Sequence, residues 1–327
     1  MSAVQSERQA PPAKLRERPT PVRRRRGVSV GDRVFPYILI LPALLVLIGV
    51  MVYPLGRVIQ LSMENVNNFI LFADPKLDRY IGFQEFTKTL SSAAFWQVVE
   101  RTVYFTIEVV VLSVGIGLGV ALLLNRVSNW AKIFVVTVLM FVWAVPGIVT
   151  GVVFRWIFSD TSGVADYIFY LLGGKGMRGY NWVANSGQGL YIVVAGMVVW
   201  GALPFLVLGL NAAITQVPKE LSEAALVDGA SPWENFRHVT LPIIRPFLLM
   251  CLSLSFIWDF QVFNQIWVWT QAVPANGYQL LGVYLYEEAF NADKYSYGAV
   301  LSLIMILMMI SVMIVYIRQI LKIGADK

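Results

Sequence analysis

The order of apolar and polar residues along the chain predicts an all-α membrane protein with six transmembrane helices. A helix needs about 20 mostly apolar residues to cross the hydrocarbon core of a bilayer. Six stretches reach that length and lack the period-2 alternation of strands. These predicted spans are residues 35–62, 99–124, 133–158, 190–214, 246–270 and 297–320. Pro146 and Pro204 fall inside two of them and predict kinks there.

The segments between the spans define the expected domain organisation. Residues 1–34 are rich in Pro, Arg, Ser and Gln, so they predict a disordered basic arm. The first span (35–62) is followed by an extracytoplasmic segment, 63–98. A five-helix core, 99–322, includes a polar loop at 215–245, and residues 323–327 form a tail.

The distribution of basic residues predicts the orientation. With the N-terminus inside, the inner segments hold roughly twice as many Lys and Arg residues as the outer ones. Both termini are therefore expected in the cytoplasm. The cluster Arg23–Arg26 next to a membrane span indicates an orientation signal or contact with anionic lipid rather than a nucleic-acid site.

Composition agrees with a membrane location and excludes several kinds of catalysis. Apolar residues make up 57% of the chain and charged residues 14%, whereas soluble domains have about 25% charged residues. With one Cys and one His, a cysteine metal cluster, a metal site or a Ser-His-Asp set is not expected. The phosphate-binding G-x-x-x-x-G-K-[ST] pattern is absent around Gly174-Lys175, because position 169 is Phe. No catalytic residue and no bound cofactor are predicted.

The polar loop between the fourth and fifth spans carries strong helix signals. Pro218 suits the first turn of a helix over 219–228, and Gly229 can adopt a left-handed cap. Ser231, Pro232 and Glu234 form the pattern of a capping box at the start of a second helix. Two short amphipathic helices at a sharp angle suit either a plug in a partner's groove or a loop on the lipid surface.

The same loop resembles the EAA loop of permease subunits in bacterial ABC importers. The motif residues are Glu223, Ala224, Ala225, Asp228, Gly229, Leu241 and Pro242. Segments 81–86, 284–290 and 297–302 resemble sugar permeases of the maltose and glycerol-3-phosphate type. The resemblance covers roughly residues 35–322. It departs after the fifth span, where relatives carry Thr-Gly-Gly-Pro and this chain has Thr-Gln-Ala-Val-Pro at 270–274.

The resemblance implies partners and a mechanism. The chain would be one of two permease subunits in a bacterial cell membrane, with an extracytoplasmic substrate-binding protein outside. Two ATP-binding subunits would bind ATP and Mg²⁺ and move the loop. Glu223 would make a charged contact with them, the small Ala224 and Ala225 would permit close approach, and Gly229 would provide the turn.

Polar residues inside the spans mark a candidate sugar path. Ionisable groups in hydrocarbon are costly, so Glu108, Arg155 and Asp259 should face protein or water. Asp259 is close in sequence to Gln261, Asn264 and Gln265, and aromatic residues flank them. Such a mixture suits a sugar path, although an interhelical hydrogen-bond network would use the same residues.

Helical geometry complicates this path. Residues 259 and 261 lie about 200° apart on a helix, so they cannot both face one narrow channel. A bend in the helix, a wide cavity, or a division of the polar residues between the pore and a subunit interface is required. We expect a split, with Asp259, Phe260 and Phe263 at the boundary with a partner and the three amides nearer the cavity. The rival hypothesis is a proton-coupled secondary transporter using Glu108 or Asp259, which does not explain the loop motif.

Overall fold

The computed structural model describes residues 30–67, 80–174, 176, 179–182, 187–270 and 279–325. Within these residues the chain is helical, with an isolated bridge between Glu64 and Tyr80. Most of the basic arm and the departure at 271–274 lie outside the described residues. The chain divides into two units, Met1–Pro54 and Leu55–Lys327.

The described residues form a series of helices of unequal length. In chain order they are α1 (Val30–Leu47), α2 (Tyr53–Ser62), α3 (Gln84–Ser91), α4 (Ala93–Leu124), α5 (Asn129–Ala144), α6 (Gly147–Ile157), α7 (Val164–Leu171), α8 (Gly187–Thr215), α9 (Lys219–Val227), α10 (Pro232–Asn235), α11 (Leu241–Asp259), α12 (Asn264–Thr270), α13 (Leu281–Tyr286) and α14 (Tyr295–Ala325). Single π-helical turns at Ile48–Val52 and Phe236–Thr240 join consecutive helices, and a third, Glu287–Asn291, extends α13.

Five helical stretches in the described part of the chain are long and apolar enough to cross a membrane. They are Tyr37–Ser62, Ala93–Leu124, Gly189–Thr215, Pro232–Asp259 and Tyr295–Lys322. The predicted first, second, fourth and sixth spans are thus confirmed as apolar helices, with ends that differ by a few residues. Pro204 lies inside the unbroken helix α8.

The predicted third span is wrong as a single helix. Helices α5 and α6 meet at an angle of 104°, so they form a broken span or a re-entrant loop. The break falls at Val145-Pro146, where Val145 is extended with φ −78° and ψ 123°. Proline disfavours a helical conformation of the residue before it and lacks the N–H that a continuing helix would use. The kink predicted at Pro146 is confirmed and is sharper than a bend.

The predicted fifth span is also wrong in its second half. Helix α11 ends at Asp259, and α12 begins only at Asn264. No proline or glycine lies between them, so the hydropathy pattern runs through the break without a signal. The membrane-length helix instead extends in the other direction, back to Pro232.

Helices α4 and α8 form the centre of the bundle in the second unit. A Cβ placed on Gly117 would lie 2.9 Å from the Cβ of Leu206, so the two backbones approach closely. Near their carboxyl ends, the Asn125 side-chain amide donates to Asn211 Oδ1 at 3.2 Å. These contacts show that the two helices run parallel.

The opposite end of the bundle is closed by hydrogen bonds between distant segments. The backbone N–H of Val66 donates to Ser296 Oγ at 2.7 Å, which attaches the segment after α2 to the start of α14. The backbone N–H of Leu281 donates to the buried Thr102 Oγ1 at 2.8 Å and holds α13 against α4.

Candidate functional site

The first helix of the polar loop ends in a Schellman motif. Gly229 has φ +85°, a conformation that glycine adopts without steric cost. Its N–H donates to Leu226 O at 3.1 Å, and the N–H of Ala230 donates to Ala225 O at 2.9 Å. Both bonds satisfy carbonyl groups that the end of a helix leaves free. The turn after α9 is therefore rigid.

The second helix of the loop begins with a complete capping box. Ser231 Oγ accepts from the N–H of Glu234 at 3.3 Å, and Glu234 Oε2 accepts from the N–H of Ser231 at 2.7 Å. These reciprocal bonds satisfy two donors at the start of α10. The helical path then continues through Thr240 into Leu241 and Pro242, so a displacement of the loop would be passed directly to α11.

The loop exposes both charged and apolar side chains. Glu223, Ala224, Asp228 and Gly229 are exposed, and Ala225 is partly exposed. Val227 is 87% exposed and Trp233 is 66% exposed. Large apolar side chains at an exposed, rigid turn are typical of a surface that another protein covers.

The break after α11 creates a cleft around Asp259. The cleft has a volume of about 390 Å³, and its lining includes Asp259, Gln261, Asn264 and Gln265. Asp259 is 5% exposed, and its Oδ2 has no hydrogen-bond partner among the described residues. A buried polar atom without a partner is costly, so this oxygen is poised for a ligand or water.

The expected split of these polar residues between two surfaces is wrong. The chain leaves its helical path at Phe260, so the angle of about 200° between residues 259 and 261 on a continuous helix does not apply. Phe263 also lines the cleft, while Phe260 is buried elsewhere, stacked on Phe256 with ring centroids 5.6 Å apart. The bend therefore brings the carboxylate and the three amides together.

Aromatic side chains and the bent pair α5 and α6 complete the cleft. Trp143, Trp200 and Trp258 line it, together with Gly147 and Thr150 beside the 104° break. The sequence reasoning missed the two tryptophans Trp143 and Trp200, because they lie on predicted spans with no polar neighbours. Pro146 was the signal that could have located the break as part of the site.

Glu108 and Arg155 do not join this cleft. Glu108 is exposed on α4 and accepts a hydrogen bond from the Tyr191 hydroxyl at 2.7 Å. Arg155 lies in the last turn of α6 and donates to the carbonyl oxygen of Val268 at 3.4 Å. The structure therefore separates the three ionisable residues that the sequence placed inside spans.

A polar network joins the first turns of α4 to the segment around α13. Arg101 donates to the carbonyl oxygen of Gln279 at 3.2 Å, and the Gln279 side-chain amide donates to Glu287. Burial raises the pKa of the Glu287 carboxyl above its usual value. The bond from Gln279 opposes this pKa change and the nearby Glu288 adds to it. No motif or spacing around Glu287 singles out this buried carboxyl in the sequence.

Comparison with known proteins identifies the family. Residues 113–321 match the model of the family described as "Binding-protein-dependent transport system inner membrane component". The diacetylchitobiose uptake system permease protein DasB of Streptomyces coelicolor is 32% identical over 304 residues, which cover 93% of this chain and 92% of DasB. The trehalose/maltose transport system permease protein MalF of Thermococcus litoralis is 29% identical, over 86% of this chain and 92% of MalF.

Solved structures share the fold. A crystal structure of a bacterial ABC transporter involved in the import of the acidic polysaccharide alginate matches with a TM-score of 0.74. At 18% identity, the match covers 89% of this chain and 97% of that one. The fold thus agrees with the sequence matches, and the chain belongs to the family of inner membrane components of binding-protein-dependent transport systems.

Proposed function

We propose that this chain is the transmembrane permease subunit of an ATP-driven, binding-protein-dependent importer for a sugar or a related polyol. The relatives DasB and MalF are named for diacetylchitobiose and for trehalose and maltose. A third relative, AraP of Halalkalibacterium halodurans, is named for arabinooligosaccharides and is 30% identical over 300 residues.

The observation that carries the substrate assignment is the cleft at the end of α11. It combines a carboxylate, three amides and several tryptophans. Carboxylates accept hydrogen bonds, amides both donate and accept, and a sugar hydroxyl can do either. Tryptophan rings add apolar surface that suits the C–H faces of a sugar ring. The cleft is thus the proposed substrate path.

The polar loop is the proposed coupling element. Its two capped helices form an exposed, rigid projection that continues into α11, which ends at the cleft. Partner subunits that bind ATP and Mg²⁺ would close on ATP and move this projection. ATP binding would then favour one of two global states, which is sufficient for alternating access. A second permease subunit would complete the pore, and an external binding protein would deliver the substrate.

The proposed orientation places both termini and the coupling loop in the cytoplasm. The excess of Lys and Arg on that side supports it. The membrane is the bacterial cell membrane. The proton-coupled alternative has less support, since the family is one of binding-protein-dependent systems.

Uptake into proteoliposomes tests the proposal. The chain is reconstituted with a second permease subunit, ATP-binding subunits and a binding protein of the same transport system. The panel consists of diacetylchitobiose, maltose, trehalose and arabinobiose. We expect uptake of a panel sugar that requires ATP inside and binding protein outside. Uptake by this chain alone, driven by a pH gradient, would establish the rival mechanism.

Cysteine accessibility tests the substrate path. Single cysteines are placed at Gln261, Asn264 and Gln265 in a Cys251→Ser background, and the transported sugar is added before a water-soluble thiol reagent. We expect the reagent to modify the cysteines without sugar and to modify them more slowly when sugar is present. Complete resistance of all three positions, with or without sugar and ATP, would rule out a water-filled path here.

A further inference from the structure

A second cavity lies beside the proposed substrate path and is not part of it. It has a volume of about 320 Å³, at the small end of the range of ligand pockets. Three aromatic rings form one wall. Phe158 packs edge-on against Trp182, with ring centroids 5.1 Å apart, and lies 6.4 Å from Trp269.

The aromatic wall is held in place by a buried carboxylate. Asp166 is 4% exposed, and its Oδ1 accepts from the indole N–H of Trp182 at 2.7 Å. Its other oxygen accepts from the backbone N–H of Tyr180 at 3.0 Å. These bonds fix the orientation of Trp182, so the wall is formed before any ligand binds.

The third ring carries a donor that has no acceptor among the described residues. Trp269 is 6% exposed, and its indole Nε1 is buried without a hydrogen-bond partner among the described residues. An indole N–H can only donate, and leaving a buried donor unsatisfied is costly. This arrangement indicates that an acceptor atom from a bound molecule can complete the site.

The remaining lining residues are polar and balanced in charge. Arg155, Ser159, Asp160 and Asn181 line the cavity. The Asn181 side-chain amide donates to Asp160 Oδ2 at 3.0 Å. One cation, one anion, an amide and a hydroxyl together supply donors and acceptors without a net charge, which suits a neutral molecule with several hydroxyl groups.

The two cavities lie in sequence along the same pair of short helices. Gln265 lines the first cavity and Trp269 the second, and residues four apart on a helix lie on one face, about 6 Å apart. Between them Gly151 packs against Val268, where an added Cβ would lie 3.1 Å from the Val268 side chain. Along α6, Gly151 lies between Thr150, which lines the first cavity, and Arg155, which lines the second.

We propose that the second cavity binds one glycosyl unit of a neutral saccharide, next to the unit in the Asp259 cleft. This inference rests on the proposed function, because it takes the cleft as the substrate path. The charge bias places this cavity on the outer side, where substrate enters. An oligosaccharide would then occupy both cavities.

Cysteine protection in the assembled transporter tests the second cavity. Ser159→Cys in the Cys251→Ser background reports on the cavity. Ser162→Cys, exposed in the same loop and outside the cavity lining, is the matched control. We expect the transported panel sugar to slow modification of Ser159→Cys at least threefold and to leave Ser162→Cys unchanged.

The outcomes separate this inference from the proposed function. Protection of Gln265→Cys without protection of Ser159→Cys would overturn the second cavity and leave the substrate path intact. If no panel sugar is taken up in an ATP-dependent way and neither position is protected, the proposed function is overturned, and this inference with it.

A second pair of variants tests the indole donor. Trp269→Phe keeps an aromatic ring and removes the N–H, so it should raise the sugar concentration for half-protection of Ser159→Cys about three- to tenfold. Trp267→Phe is the control, because Trp267 lies on the same helix and contacts Phe263 and Tyr286 instead. An unchanged concentration in Trp269→Phe, or an equal change in both variants, would refute a bond from Trp269 to the sugar.

Discussion

At the scale of single residues, Glu223 is the side chain that the proposed coupling places in a charged contact with an ATP-binding subunit. It is exposed on α9, and a charge-assisted contact is stronger than a neutral hydrogen bond. Glu223→Ala should leave insertion intact and reduce sugar-stimulated ATP hydrolysis about tenfold, the effect of losing roughly 1.5 kcal/mol. Glu220→Ala, on the same helix, is the control. Equal activities of the two variants and the wild type would remove the assigned role.

Glu287 offers a prediction about pH. Burial raises its pKa in the folded chain, so its stabilising contribution is present at pH values below the unfolded pKa of about 4.3. That contribution is lost as the pH rises through the folded pKa. The melting temperature of Glu287→Gln should therefore fall less than that of the wild type between pH 4 and pH 8. The exposed Glu100→Gln should follow the wild type. Parallel curves for Glu287→Gln and the wild type would contradict the burial argument.

At the scale of elements, the helix caps of the polar loop could be predicted from the sequence, whereas the break within the predicted fifth span could not. Caps depend on residues within one turn, so Gly229, Ser231 and Glu234 could be assigned from their spacing. The end of α11 at Asp259 depends on packing between distant helices, and Phe260–Phe263 are as apolar as a span. Hydropathy therefore extended the fifth span across the feature that forms the cleft. Pro146 predicted a kink, but neither the proline nor the hydropathy pattern specifies its angle of 104°.

The turn between α9 and α10 should tolerate few residues at position 229. A left-handed conformation costs an ordinary L-residue roughly 1–2 kcal/mol, and the angle between the helices depends on it. Gly229→Ala should lower ATP-driven uptake without changing membrane insertion. Gly229→Asn should retain more activity, because asparagine adopts this conformation more readily. Indistinguishable uptake in the alanine and asparagine variants would show that the turn geometry does not limit transport.

The contact between α6 and α12 should behave as a matched pair. Gly151→Val would force its side chain into Val268, and overpacking of this kind costs about 1–3 kcal/mol. We expect a lower melting temperature and slower uptake. Adding Val268→Ala should recover part of both losses, since the two positions touch and their effects are then not additive. Additive losses in the double variant would mean that the two helices do not meet there.

At the scale of the whole molecule, this chain has features of an incomplete assembly. Glu108 is exposed on a membrane-length helix, and an ionisable group facing lipid costs about 3 kcal/mol even on lenient scales. The exposed apolar side chains of the loop are equally unsuited to water. Each surface is explained if the second permease covers the first and an ATP-binding subunit covers the other.

Because these surfaces need covering, the activity of the chain should depend on partner subunits. The purified chain in proteoliposomes should show neither ATP hydrolysis nor uptake driven by a pH gradient. ATP hydrolysis and ATP-driven uptake should appear only when the partner subunits are added. In the complete assembly Glu108→Gln should still support uptake, because a residue that contacts a partner needs to be polar but need not carry a proton. A secondary transporter that relays protons through Glu108 would lose uptake in Glu108→Gln and keep it in Glu223→Ala. The importer proposed here should show the reverse pattern.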